Sequence, residues 1–198
     1  NLIKALYTVG KKFTKNPYSI KRAADKAAKE LSIYGNTLLQ GDLPGKYMKE
    51  TDIPVSHNGP LIGIATHPYL LYDSFINMKL LEKLSNKGIK FLLPEMLEKK
   101  VIEEKCSVLG KRMFWSSSKD LIGSALYMMN NSKIDGILIL TSFGCGIDSL
   151  SIDLIERLGR KTSRKPFMVI TLDEHTGDAN FNTRLEAFLD LIDRRKMM

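Results

Sequence analysis

"IDGILILTSFGCGIDSLSIDLIERL", Ile134 to Leu158, decides the fold. It opens as a short, almost continuously apolar run. A turn of small residues follows, and then a stretch with Leu and Ile at helical spacing. A strand that is apolar on both faces belongs inside a parallel sheet covered by helices on each side. Between strand and helix stands "TSFGCGIDS", Thr141 to Ser149, with Cys145 between Gly144 and Gly146. Open parallel sheets bind their ligands at such carboxyl ends of strands.

The same alternation extends in both directions. "LIGIATH", "IKFLL" and "PFMVITL" read as three further strands, with helical patterns between and after them. Right-handed crossovers leave few topologies. The predicted fold is α/β, a Rossmann-like or flavodoxin-like open parallel sheet of about four strands in the order 2-1-3-4, with an N-terminal helical extension. Helices are predicted at 2–15 and 18–40, with Asn16 and Pro17 as the start signal of the second. "QGDLPGKYMKETDIPVSHNGP" is punctuated by Gly, Pro and Asp and reads as loop. The division is therefore a helical region over 1–50 and a Rossmann-like domain over 60–198. Starting at Asn1, the chain reads as part of a longer protein. One continuous helix is predicted over 72–88, with Asp73 or Ser74 as N-cap, Phe75, Met78, Leu81 and Leu84 on its apolar face, and Gly88 as C-cap. A short helix is expected at 95–100. Cys106, in "EEKCSVLGK", reads as incidental.

Composition is that of an ordinary globular chain: 198 residues, 43% hydrophobic and 26% charged. No apolar run approaches the roughly 20 residues that span a bilayer. No signal-peptide order is present, and two cysteines make no disulfide framework, so a cytoplasmic, reduced protein is expected. The net charge of +8 is uneven: residues 1–50 carry ten Lys and Arg against four Asp and Glu, a balance of +6. A solvated helical face explains this, and so does an acidic partner or a phosphate-rich ligand. No helix-turn-helix, zinc-finger or aromatic-interleaved basic motif points to nucleic acid.

The residues after each strand define one edge. Behind the first come His67, Tyr69, Tyr72 and Asp73, and behind the second Pro94 and Glu95. Behind the third comes Cys145, and behind the fourth "DEHTGD", with Glu174 and His175. Two readings of Cys145 stand side by side. One is a small buried hydrophobe in a tight turn. The other is a thiolate before a helix N-terminus, where the dipole lowers its pKa and the flanking glycines admit a ligand. His67, Glu174 and His175 are the candidate catalytic partners, giving a Cys/His/carboxylate metal site or a Cys–His nucleophile pair. No CxxC, HExxH, GxGxxG or Walker lysine accompanies them.

Three stretches together resemble a known family: "HPYLLYDSFINMKLLEKLSNKGI", "TSFGCGIDSLSIDLIERL" and "FMVITLDEHTGDANFNTRLEAFLDLI". The chain is similar to acyl-CoA dehydratase activase-related proteins, also described as CoA-substrate-specific enzyme activases. These are relatives of the 2-hydroxyglutaryl-CoA dehydratase component and the double-cubane-cluster proteins. The resemblance implies a bacterial, anaerobic setting with ATP-driven, low-potential electron transfer. It also implies an iron–sulfur cluster held by cysteines at strand ends. Carried over by position, Cys145 with Gly144 and Gly146 is the cluster-binding loop. The sequence departs from the pattern at Ile147 and Asn180, and one cysteine cannot supply four ligands. The others would come from further domains of the same protein or a partner subunit.

Three functions follow as expectations. The first is a Rossmann-like module of an iron–sulfur protein in a CoA-ester dehydratase or reductase system, with Cys145 as ligand. The second is a non-redox domain binding a CoA ester or a partner protein through the basic helices. The third is a Cys–His enzyme.

Overall fold

Four parallel strands pair in the order β2-β1-β3-β4 in the computed structural model. They are β1 (Leu61–Ala65), β2 (Lys90–Leu92), β3 (Gly136–Ser142) and β4 (Phe167–Leu172). The structure describes residues 2–41, 59–111 and 113–197, so most of the predicted loop over 40–60 lies outside the described residues. The order is the one predicted, and the apolar strands are its cause. In β3, Leu138 and Leu140 face one layer while Ile137 and Ile139 face the other, all at 1% exposure or less. A strand with two dry faces needs a helical layer on each.

The first layer is α3 (Pro68–Tyr72), α4 (Leu80–Asn86) and α8 (Asp178–Lys196). It packs Leu70, Leu84, Phe181 and Phe188 against Ile62, Ile64 and Ile170. The second layer is α5 (Lys99–Cys106), α6 (Ser116–Asn130) and α7 (Gly146–Thr162). It covers Ala65, Ile137 and Ile139 with Leu121, Ile122, Met128 and Ile155. Each such buried side chain contributes about 1.5–3 kcal/mol of transfer free energy. Gly63 lets α6 lie against β1: a Cβ there would stand 2.7 Å from Met128 Sδ.

Three predicted helices are corrected. The helix expected at 2–15 is α1, which stops at Gly10. A Cβ on Gly10 would meet Ile20 Cγ2 at 2.6 Å, so the glycine is where the following helix packs back. That helix, α2 (Pro17–Leu39), starts as predicted, with Asn16 Oδ1 accepting from Tyr18 N at 2.9 Å. The helix expected over 72–88 is broken. Asp73 Oδ1 accepts from Phe75 N and Ile76 N, which makes a side-chain turn, and Phe75 is 91% exposed instead of lying on a buried face. Buried Asn77 then bridges α3 and α4. Its Nδ2 donates to Leu70 O and Leu71 O, and its Oδ1 accepts from Leu80 N. Met78 and Lys79, at φ 52° and 57°, carry the chain through the turn. Asp and Asn side chains compete with helical backbone bonds in this way. The short helix expected at 95–100 is a 3-10 turn at Pro94–Met96 followed by α5.

Candidate functional site

The strand order reverses direction between β1 and β3, and this is the crevice where open α/β sheets hold ligands. The chain leaves β1 through Thr66 and His67, and leaves β3 through Phe143, Gly144 and Cys145. Thr66 Oγ1 donates to Leu140 O at 3.0 Å, which ties the two exits together.

His67 is nearly buried and its Nε2 donates to Asp148 Oδ1 at 2.8 Å. Asp148 is 1% exposed and lies in the first turn of α7, where the helix dipole favours a carboxylate. Its Oδ2 has no hydrogen-bond partner among the described residues. The Tyr69 ring stacks on His67, with centroids 5.8 Å apart and planes 11° apart. Partial burial pushes the Tyr69 hydroxyl up, and Asp148 and Cys145 push it further, against a hydrogen bond with Ser142. Cys145, Tyr69, His67 and Asp148 thus form one group at the switch point.

Cys145 is the N-cap of α7, half-buried, and its side chain makes no capping bond. Gly144 before it has φ +78°, a left-handed turn that suits glycine, and open space lies where Cβ atoms of Gly144 and Gly146 would be. Glu174 and His175 stand elsewhere on the edge. Their side chains are 80% and 84% exposed and contact each other, His175 Nδ1 to Glu174 Oε1, at 3.5 Å. Asp173 organises their turn, accepting from His175 N and from Thr176 Oγ1. No hydrogen bond or ion pair among the described residues joins Glu174 or His175 to Cys145 or His67. The partner of His67 is Asp148, which the sequence reading did not single out. Its signal was an acid three residues past Cys145, which alone reads as complement to the helix dipole.

A cavity of about 600 Å³ opens on the other side of His67. Leu31, Tyr34 and Leu38 of α2 line it together with Leu97 and Ile102, and its polar residues include His67, Glu95, Lys99 and Asp120. Burial pushes the Glu95 carboxyl up, with Asp120 adding to it, and Glu95 Oε2 is buried without a partner among the described residues. The Asp120 carboxyl, on α6, is likewise raised by burial, against the pull of Lys119 and Lys99. The Tyr72 hydroxyl nearby is also raised, by burial first and Glu95 next.

A four-iron cluster takes four thiolate ligands. The chain has two cysteines. Cys106 is buried between α5 and α6, its Sγ donating to Lys119 O at 3.2 Å, and its thiol is pushed up by burial. No group of three or more His, Cys, Asp or Glu is placed to hold a metal ion among the described residues. These residues do not build a cluster site by themselves.

The mostly apolar cavity, with a few polar groups beside the exits of β1 and β2, is the candidate ligand site of this open α/β sheet. Residues 1–97 match the family model described as the CoA enzyme activase uncharacterised domain. The match takes in just under half of the chain and supports its likeness to the activase-related family over that stretch. No curated protein and no solved structure matches the chain. No described helix is long and apolar enough to cross a membrane.

Proposed function

We propose that the chain is the Rossmann-like, ligand-binding module of a CoA-ester dehydratase or reductase system, and that its cavity takes the acyl part of a CoA ester. The observation that supports this best is the cavity of about 600 Å³ beside His67. Its walls are mostly apolar, as an acyl chain requires. Asp148 fixes the imidazole at the wall, so a ligand carbonyl there meets an oriented ring. The ten cations of residues 1–50 suit the nucleotide phosphates. Calorimetry with CoA esters tests the reading. Micromolar binding that weakens with salt and is reduced by His67→Ala is expected, and no binding overturns it.

The half-buried thiol, free of any capping bond, favours a second reading, in which Cys145 supplies one thiolate to a cluster completed by other domains or a partner subunit. The open space around Gly144 and Gly146 leaves room for such a group. Anaerobic reconstitution of the full-length protein tests this. Iron and sulfide content falls in Cys145→Ser if the ligand role is right, and stays unchanged if it is wrong.

A further inference from the structure

The acidic groups of the cavity carry a consequence for specificity. Glu95 and Asp120 both line it, Glu95 from the turn after β2 and Asp120 from α6, and these two elements pack against each other. One Glu95 oxygen is buried with no partner among the described residues, as is the Tyr72 hydroxyl beside it. Among the described lining residues Lys99 is the one ammonium, on the exposed rim and acting on Asp120. His67, also in the lining, is engaged by Asp148. A second carboxylate entering this space would share it with two acids and lose its water, and neither cost is met by a buried cation. Like charges within about 4–6 Å disfavour ionisation by 1–3 pKa units, a factor of ten or more in affinity.

We infer that the cavity selects acyl groups whose far end is apolar and uncharged, and that Glu95 and Asp120 are the residues that exclude dicarboxylic acyl groups. This rests on the acyl-ester reading above and narrows it to a substrate class. The remaining walls agree: Leu31, Leu38, Leu97 and Ile102 offer an aliphatic or aromatic tail only apolar contact.

The test compares two probes of equal chain length, hexanoyl-CoA and adipoyl-CoA, on the full chain at pH 8, the alkaline side of the carboxylate range. The hexanoyl ester binds at least tenfold tighter, and Glu95→Gln with Asp120→Asn narrows the gap to about threefold or less. Equal affinities, a preference for adipoyl-CoA, or a ratio untouched by the double variant overturns the inference. The same acyl pair is also measured as N-acetylcysteamine thioesters, which lack the nucleotide. Discrimination between these without any CoA-ester binding leaves the selectivity standing and removes the CoA reading. Failure of both thioester series to bind overturns both.

Discussion

Removing His67 is the sharpest perturbation of the switch-point group. Asp148 is 1% exposed, and its described side-chain partner is His67 Nε2, 2.8 Å away. His67→Ala therefore leaves a carboxylate in a dry site with only the α7 N-terminus to oppose its charge. Breaking a buried pair from one side costs about 3–5 kcal/mol. The α7 dipole returns up to about 1 kcal/mol, so a loss near 3 kcal/mol is expected. For a chain of this size that lowers Tm by roughly 6–12 °C. Asp148→Ala removes a hydrogen bond to a charged group and costs about 1.5–3 kcal/mol. The double variant removes both partners and loses less than the sum, with a coupling of at least about 1.5 kcal/mol. Urea unfolding and thermal melts at pH 7 measure all corners of the cycle. Additive single costs, or a His67→Ala loss under about 1 kcal/mol, would refute the view that the two residues hold each other.

Other perturbations read other parts of the molecule. Glu95→Gln stabilises the protein at neutral pH: a carboxyl raised by burial binds its proton more tightly when folded, so wild-type stability falls as pH rises above the unfolded value of about 4.3 and through the folded one. The advantage of the variant, read from melts between pH 3 and 8, disappears in acid, and an advantage that persists there would contradict the burial effect. Gly123→Ala destabilises by about 1–2 kcal/mol, because the new Cβ would lie 2.5 Å from Ile102 O, a backbone atom of α5, and overpacking outweighs the helix-propensity gain. Gly35→Ala, with nothing within 4 Å, stabilises by about 0.5–1 kcal/mol, and denaturant midpoints compare the two. Iodoacetamide at pH 8 labels Cys145 well before Cys106, whose buried thiol is pushed up; mass mapping showing the reverse order would contradict this assignment.

The sheet was legible because its strands are dry on both sides, and only a covered parallel sheet accepts "GILILT" and "LIGIA". Cys145 and His67 were legible for the same reason, since topology places strand ends on one edge. What failed to show was anything set by side-chain hydrogen bonding at a distance. Asn77 looks like one polar residue inside a helical pattern, yet it is the staple that breaks the helix expected over 72–88. Asp148 looks like a dipole complement and is also the partner of a residue 81 positions away. Glu174 and His175 share the edge by sequence, but the turn organised by Asp173 keeps their side chains in solvent. The cavity was illegible because one of its walls, α2, comes from outside the sheet's own layers.

That wall has a combinatorial side. The family match ends at residue 97 and includes α2, the exit of β1 and Pro94 to Leu97. The rest of the lining, Lys99, Ile102, Ser116, Ser117 and Asp120, lies beyond it. The chamber is therefore composite: a signature-bearing half closed by a half outside the signature. Grafting residues 99–120 from another sequence that carries the signature would recut the shape and charge of the chamber while leaving every matched position in place, so the signature and the lining of the chamber can vary independently in this architecture.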